Sequence, residues 1–225
     1  MADDLDQAVR RADPDRWLAS RFIADPVARA DVVTLYACDH ELARAGIVAS
    51  NSLIAQIRLT WWREVLDEVY AGRSVRVHPT AQALAACVTR RALPRVQLQA
   101  MIDGRIAVLD APMMTLDQAI AWADGVEGST MQLAARILDP AAALDAARLA
   151  GRARGLHDLR RAGRVDDQGV SAMIGETLAA ANRAARSLSV RAFPAIACAT
   201  LARVRAPSAL SARLRLVVAV ARGRV

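Results

Sequence analysis

Apolar residues recur at three- and four-residue steps along most of this 225-residue chain. The pattern is clearest in NSLIAQIRLTWWREVLDEVYAG, residues 51–72, where five apolar side chains fall on one stripe: Ile54, Ile57, Trp61, Val65 and Val69. Such a stripe predicts an amphipathic helix. Because Trp62 lies about 100° from Trp61 on a helix, we expect one ring in the core and the other at a neighbouring helix or an exposed groove. Structural packing is the simplest role for both rings, with a hydrophobic tunnel wall or a membrane-facing anchor as the alternative.

Helix-capping signals divide the remaining pattern into helices. They are two Asp-Pro starts, one capping box and two terminal glycines: Asp25-Pro26, Asp139-Pro140, Thr115 with Gln118, Gly46 and Gly72. Together they predict helices near residues 4–12, 26–45, 52–71, 80–92, 95–110, 116–124, 127–138, 140–162, 171–188, 192–205 and 208–222. No segment shows strand alternation, a fixed-period repeat or a linker. We therefore expect one all-α domain over residues 1–225, with residues 1–15 loosely packed.

Composition supports a helical fold and limits what the charge can mean. Hydrophobic residues make up 54% of the chain and aromatic residues only 4%. Much of the apolar content is alanine, which favours close-packed helices. The net charge is +7, and all 30 basic residues are arginines. This composition is typical of a GC-rich, bacterial-type genome, so arginine carries less functional weight than usual, although guanidinium groups still suit phosphates, diphosphates or an anionic membrane surface.

Missing motifs exclude several classes of function. The sequence has no GxxxxGK[ST] or GxGxxG phosphate loop, no GxSxG turn and no HExxH zinc motif. Its three cysteines, Cys38, Cys87 and Cys198, are far apart and predict buried thiols in a reducing compartment. It has no apolar signal segment, and no uncharged run approaches the roughly 18 residues that span a bilayer. We expect a cytoplasmic protein, or one peripheral at the membrane, without a metal site or a nucleic-acid partner.

Carboxylates are the remaining candidates for chemistry, because helical enzymes that ionise diphosphates hold Mg²⁺ with acids one turn apart. Glu64, Asp67 and Glu68 have this spacing. They are interleaved with Arg58 and Arg63, which is typical of a solvated ion-pair face.

The stretch LYACDHELARAG, residues 35–46, gathers further acids on one predicted helix. Asp39 and Glu41 in this stretch diverge by roughly 200° around the helix. They therefore cannot hold one ion together. Asp103 with Asp110 is a further pair of acids outside this helix.

Four successive segments resemble the helices of the squalene/phytoene synthase family. They read RFIADPVARADVVTLYACDHELARA, then LIAQIRLTWWREVLDEVYAG with HPTAQAL, then LQAMIDGRIAVLDAPMMTLDQAIAWADGVEGSTMQLAARIL, and then LAGRARGLHDLRR. The similarity covers roughly residues 16–165. It implies an all-α isoprenoid-synthase fold around a tunnel, in which two aspartate-rich motifs bind Mg²⁺ and the diphosphates of two prenyl donors that are joined head to head.

The first aspartate-rich motif of that family is missing from this chain. When the segments are aligned on Tyr36-Ala37, the paired aspartates fall at Ala43 and Arg44, the next acid at Ile47 and the arginine at His40. An arginine in place of a carboxylate repels Mg²⁺, which neutralises the leaving diphosphate. Condensation should therefore be slow or absent, although arginines could bind a diphosphate without a metal.

The second motif is damaged. The family pattern Gly-x-Ala-x-Gln-Leu-x-Asn keeps Gly151, Ala153 and Leu156, but Gly155 replaces the glutamine and Asp158 the asparagine. Arg160 or Arg161 retains the following arginine, whereas the aspartate after it is not evident. The family's Arg-x-Tyr-Leu-Pro run is reduced to GRVDD, and the chain is short for an active member.

The resemblance thus implies a shortened, metal-free helical bundle with an apolar cavity, acting as an isoprenoid- or lipid-binding or assembly-type protein with a possible protein partner. The blocks HELA and IRLTWWRE favour the family branch that is similar to a complex I assembly factor.

We expect seven residues to contact the ligand: His40, Arg44, Arg58, Trp61, Gly151, Asp158 and Arg160. The alternative is an active, Mg²⁺-dependent transferase of farnesyl or geranylgeranyl diphosphate, whose altered acid set would include Glu64, Asp67 or Asp103. A third class is a helical interaction protein with a filled core.

Overall fold

The computed structural model describes residues 2–47, 51–204 and 208–225. The described part is helical, as expected, and carries no strand beyond an isolated bridge between Met114 and Val165. Its α-helices are α1 (Ala2–Ala12), α2 (Pro14–Ser20), α3 (Pro26–Ile47), α4 (Ser52–Tyr70), α5 (Pro79–Arg91), α6 (Arg95–Ile106), α7 (Leu116–Ala123), α8 (Ser129–Leu138), α9 (Asp145–Arg161), α10 (Asp167–Ala184) and α11 (Ala209–Arg222). A π-helical turn spans Asp124–Gly128, and 3₁₀ segments span Ala185–Ser187, Phe193–Ala195 and Ala197–Arg203.

Two long helices organise the core. α3 packs against α1, α4, α5, α6 and α8, whereas α9 packs against α7, α8, α10 and the π-helical turn. Because α8 contacts both long helices, the space between them is enclosed on several sides. The site described below lies in this space.

Two glycines let α9 approach the π-helical turn. A Cβ atom on Gly151 would lie 2.5 Å from the carbonyl oxygen of Glu127, and one on Gly155 would lie 2.8 Å from the Cβ of Ala123. Neither distance is compatible with a side chain at these positions. The glycines therefore set the depth at which the turn, and with it Glu127, is held against α9.

Helix α2 is absent from the predicted elements. Its signal is the same Asp-Pro pair that was used elsewhere: Asp13 is the N-cap, its side chain accepts from the backbone N–H of Arg16, and Pro14 is the first helical residue. By contrast, Asp139-Pro140 starts only a turn, in which Asp139 accepts from Ala141, and α9 begins at Asp145 rather than near residue 140.

Other boundaries also differ from the prediction: α6 ends at Ile106 rather than near residue 110, and α10 spans Asp167–Ala184 rather than residues 171–188. Residues 116–138 form one continuous helical run, because the π-helical turn joins α7 to α8 where a break was expected. Where a helix was predicted at 192–205, the described residues, which end here at 204, form two 3₁₀ segments that are separated at Ile196. The capping box of Thr115 with Gln118 and the left-handed Gly72 are confirmed.

The predicted apolar stripe of α4 is wrong in part. Ile57 is 60% exposed, and the buried face runs through other positions: Ala55, Leu59, Trp62, Val65 and Leu66. Trp62 is the core tryptophan, and the ring of Trp61 meets it edge to face at 5.1 Å while remaining half-buried. The stripe was misplaced by about one position because Leu59 and Leu66 were left out of it.

The N-terminal helix contributes to the core. We expected residues 1–15 to pack loosely, but Leu5 and Val9 of α1 are buried. Asp6 accepts hydrogen bonds from Trp17 Nε1 at 2.9 Å and from Arg21 at 2.5 Å, which ties α1 to α2. These contacts fix the position of α2 and of the arginine that it carries into the interior.

Candidate functional site

A cavity of about 420 Å³ lies between α3, α6, α9 and the π-helical turn. One face of α3 forms a wall of it through Tyr36, Asp39, His40, Leu42, Ala43 and Gly46. From Asp39 to Gly46 this wall rises by about 10 Å. Gly46 was expected to end α3, but the helix continues to Ile47. The volume lies in the range of small-molecule binding sites.

Asp39 and Arg16 are the centre of a buried ion network, which we call the charged end of the cavity. Arg16 donates from Nη1 to Asp39 Oδ2 at 2.7 Å and from Nη2 to Glu127 Oε2 at 2.5 Å. Arg105 of α6 donates to the other oxygen of Asp39 at 2.8 Å, and Thr130 donates to that oxygen at 3.3 Å. Four elements that are distant in the chain therefore meet at one carboxylate.

Arg154 of α9 extends the charged end towards the N-terminal helices. It donates to Asp13 at 2.8 Å, and its Nε lies 3.9 Å from Glu127 and 3.5 Å from Asp158. The Nε atoms of Arg154 and Arg16 are buried and make no hydrogen bond. Such donors are costly to leave unpaired, but both lie within 4 Å of a carboxylate oxygen of the network, Arg16 of Asp13 and Arg154 of Asp158.

The formal charges around the cavity cancel. Four arginines and four acids line it: Arg16, Arg105, Arg154, Arg164, Asp13, Asp39, Glu127 and Asp158. Arg164 also donates to the backbone oxygens of Val108 and Ala111. The carboxylates are thus neutralised by the chain's own guanidinium groups, which is the arrangement that buried charges require.

Burial and charge affect two of these acids in opposite ways. Burial alone would raise the pKa of Asp39, but the guanidinium groups of Arg105 and Arg16 outweigh it and lower the pKa to about 2. For Glu127, burial raises the pKa to about 7 despite the attraction of Arg16, and the charge of Asp39 adds to the rise. Near neutral pH, Asp39 is therefore ionised, while Glu127 is partly protonated.

The other half of the cavity, which we call its apolar end, is lined by Leu42, Ala43, Leu59, Val108 and Leu109. It lies further along α3 and beyond α6, since a Cβ atom on Gly46 would be 3.8 Å from Leu109 Cδ2 whereas Arg105 meets Asp39. The cavity thus has a polar and an apolar end, as a binding site for an amphiphile requires.

The family model for squalene/phytoene synthase matches residues 9–178, which is more than half of the chain. The chain belongs to the squalene/phytoene synthase family. No curated protein matches it in sequence. Among solved structures, it is similar to a dehydrosqualene synthase in complex with ligand, with a TM-score of 0.75 and 14% identity over 98% of this chain and 95% of that chain. It is also similar to the squalene synthase HpnC from Alicyclobacillus acidocaldarius, with a TM-score of 0.71 and 13% identity over 98% of this chain and 93% of that chain.

Two of the four first-motif positions of this squalene/phytoene synthase family member line the cavity, with side chains other than those of the family motif. Ala43 and His40 are in its wall, whereas Arg44 is exposed and pairs with Glu41 at 3.3 Å. Asp39, one position before His40, is the acid of α3 that enters the charged end. The carboxylate of Asp39 accepts hydrogen bonds from Arg16 and Arg105 and is therefore not available as a metal ligand.

The Mg²⁺ ion that the family's chemistry implies does not fit this donor set. The oxygens of Asp39 and Glu127 are bound by Arg16 and Arg105, and a cation placed there would meet like charge at close range. Over residues 2–47, 51–204 and 208–225, no three His, Cys, Asp or Glu side chains are grouped so as to hold a metal ion.

The seven predicted ligand-contact residues fall in different places. His40 and Asp158 line the cavity. Arg44, Arg58 and Trp61 line a separate surface pocket of about 410 Å³. The remaining two, Gly151 and Arg160, do not line the cavity: Gly151 faces the backbone of Glu127, while Arg160 donates to Ser171 at 2.9 Å.

The alternative acids lie in ion pairs away from the cavity. Glu64 pairs with Arg76 at 2.5 Å, Asp103 pairs with Arg63 at 2.5 Å, and Asp67 pairs with Arg95. These side chains are roughly half exposed. Asp110, the acid paired with Asp103 in the sequence, does not line the cavity either.

Sequence reasoning missed most of the charged end. Its missed members are Asp13, Arg16, Arg105, Glu127 and Arg154. The Asp13-Pro14 cap could have revealed α2 and its arginine. Glu127 lies in WADGVEG, residues 122–128, where no local pattern indicates that a π-helical turn directs it inward.

Proposed function

We propose that this chain binds an isoprenoid or lipid-like amphiphile in the cavity and does not carry out Mg²⁺-dependent head-to-head condensation. The observation that carries this proposal is the pairing of Asp39 with both Arg16 and Arg105. An acid that is already shared by two guanidinium groups is neither a metal ligand nor a free base. Under this proposal the fold of a synthase is kept while its chemistry is lost.

The charge balance of the cavity favours a ligand with an uncharged head. A diphosphate carries several negative charges and would have to displace carboxylates from Arg16 and Arg154, which are each already paired. A hydroxyl or carbonyl oxygen carries no net charge, so it can lie beside the charged end without displacing a carboxylate from either arginine. We therefore propose that prenyl alcohols or related neutral isoprenoids bind better than prenyl diphosphates.

The apolar end supports a hydrocarbon chain on that head. Leu42, Leu59 and Leu109 present only carbon to the cavity, and Trp122 adds an aromatic ring to its lining. Burying apolar ligand surface there contributes about 25 cal/mol per Å². Over a wall of about 10 Å, the cavity suits part of an isoprenoid chain with the remainder leading outward.

Thermal unfolding with ligands tests the proposal. Farnesol should raise the melting temperature by about 5–10 °C at roughly a hundredfold excess over Kd. Farnesyl diphosphate should raise it less, and added Mg²⁺ should not change either shift. Absence of a shift with any isoprenoid would contradict ligand binding. Release of pyrophosphate from farnesyl or geranylgeranyl diphosphate in the presence of Mg²⁺ would instead support the active transferase.

A cavity-filling variant supplies the matched control. Ala43→Phe places a ring in the apolar end and should abolish the farnesol shift, whereas Ala86→Phe places the same ring on the exposed side of α5 and should leave the shift unchanged. Equal shifts in both variants would place the ligand elsewhere, with the surface pocket at Trp61 as the next site to examine.

A further inference from the structure

The C-terminal segment of the chain, residues 177–225, is strongly basic. It contains nine of the 30 arginines and none of the 23 acids, which leaves 21 arginines and 23 acids in residues 1–176. The whole net charge of +7 therefore arises from this segment, while the rest of the chain is slightly acidic. A charge excess confined to one segment has a directional field that an even distribution lacks.

Helix α11 of this segment is apolar on two opposite sides. Ala212, Leu216 and Ala219 are buried against the protein. On the opposite side, Leu210 is 77% exposed and Leu214 64% exposed, and two valines continue the line. We call this line the outer stripe of α11; it consists of Leu210, Leu214, Val217 and Val218. At 100° per residue these four side chains lie within an arc of about 100°, so they form one surface.

Arginines border the outer stripe along both of its edges. On the helical wheel, Arg213 lies on one side of the stripe, and Arg215 with Arg222 lies on the other. None of the three forms a salt bridge with an acid in the described part of the chain; Arg215 donates only to Ser211, at 3.4 Å. Long basic side chains beside an apolar stripe suit a surface whose interior is apolar and whose boundary is anionic.

A groove of about 430 Å³ runs beside the same helix. Arg215, Arg222 and Arg224 line it together with Leu214 and Val218 of the outer stripe. Guanidinium groups bind phosphate oxygens in a bidentate manner. The groove thus places phosphate-binding groups directly next to exposed apolar side chains.

We propose that α11 docks this protein onto the surface of an anionic lipid bilayer, with its outer stripe among the acyl chains nearest the headgroups and its arginines on lipid phosphates. No helix of the described residues is long and apolar enough to cross a membrane, so the contact is interfacial. The inference does not depend on the cavity or on its ligand.

Charge distinguishes this occupant from a second copy of the chain. Two α11 helices that met face to face would bring six bordering arginines together, and residues 177–225 offer no acid to pair with them. Such a contact would be repulsive. A lipid surface supplies both the apolar layer and the negative charge. An acidic protein would supply the charge, and the experiment below separates it from lipid.

Vesicle co-sedimentation of the full chain tests the proposal. Binding is compared on vesicles of phosphatidylcholine alone and of phosphatidylcholine with about 30 mol % phosphatidylglycerol. We expect binding only to the anionic vesicles. Arg213→Gln combined with Arg215→Gln should weaken it about thirtyfold, because each arginine near the surface contributes about fivefold. Leu214→Ser combined with Val217→Ser should weaken it about tenfold, and circular dichroism would show that both variants remain folded.

Matched substitutions elsewhere control for charge and apolarity. Arg58→Gln with Arg73→Gln removes the same charge, and Leu53→Ser with Ile57→Ser removes an exposed apolar pair from α4; neither double variant should change binding. Three results would overturn the proposal: loss of binding only in the α4 variants, binding to polyglutamate but to neither vesicle, or a dimer in sedimentation equilibrium that Leu214→Ser dissociates.

Discussion

The charged end of the cavity and the outer face of α4 contain the same chemical pairs, carboxylates held by arginines, but differ in their exposure to water. Asp39 is buried and has two guanidinium partners, whereas Asp103 and Arg63 are each 43% exposed and have one another. Sequence spacing drew attention to the exposed face, because its acids lie one turn apart. The comparison teaches that depth, and not spacing, decides which acids hold the structure together.

The same comparison explains why the buried pairs are sensitive to loss of one partner. When a carboxylate at the surface pairs with a guanidinium group, the new contact replaces hydrating water, and the free energy of unfolding changes little. A buried acid has already lost its water, so that removal of its arginine leaves an uncompensated charge. The predictions below test this difference, beginning with the largest expected effect.

Arg16→Met removes the guanidinium that Asp39 and Glu127 share. Because both carboxyl groups stay buried, we expect the free energy of unfolding to fall by about 3–5 kcal/mol, as measured by urea denaturation. The loss should shrink when Asp39→Asn is added, since the ionised partner is then gone. A loss below about 1 kcal/mol would mean that water reaches the charged end.

Gly151→Ala tests whether the position of Glu127 depends on close approach of α9. The new methyl group would lie 2.5 Å from the carbonyl oxygen of Glu127, a backbone atom that cannot rotate away. We expect a loss of about 2–3 kcal/mol. Gly175→Ala on α10 is the control: its Cβ would have nothing within 4 Å, so helix propensity should make it neutral or stabilising. Similar losses at both positions would show that the close approach is not the cause.

The sequence predicts the fold better than it predicts the candidate site. The helical class, the capping box at Thr115 and the terminal Gly72 follow from local spacing, and the structure confirms them. The charged end does not follow, because its members are distant in the chain: Arg16 and Glu127 are 111 positions apart. No local pattern records such a pairing.

The position of α4 illustrates the same limit within one helix. A helix with leucine, isoleucine, valine and tryptophan on several sides admits more than one stripe. The choice between Ile57 and Leu59 as the core position depends on which neighbours α3 and α6 present. Packing against these helices buried Leu59 and left Ile57 in solvent.

The pH dependence of stability tests the buried state of Glu127. Its pKa is raised to about 7, so between pH 5 and 7 the folded state holds more protons than the unfolded state. Stability should therefore fall as pH rises through this range, on the order of 2 kcal/mol in total. The pKa of Asp39 is lowered to about 2, so protonation of Asp39 reduces stability only in stronger acid.

Glu127→Gln isolates that contribution. Burial lowers the pKa of His157, which makes stability rise with pH in part of the same range, so the quantity to measure is the difference between wild type and Glu127→Gln at each pH. This difference should change steadily from pH 5 to 7. A difference that is constant over the range would show that Glu127 is ionised throughout.

The smallest effect is expected at the surface pair of Arg63 and Asp103, although its hydrogen bond of 2.5 Å is as short as that between Arg16 and Glu127. Because both side chains are nearly half exposed, water replaces the lost partner in Arg63→Ala. We expect a change of at most about 0.5 kcal/mol in urea denaturation, reduced further by added salt. Since the two bonds match in length and chemistry, a loss at Arg63 close to that at Arg16 would show that bond geometry sets the loss and that burial does not separate the two regions.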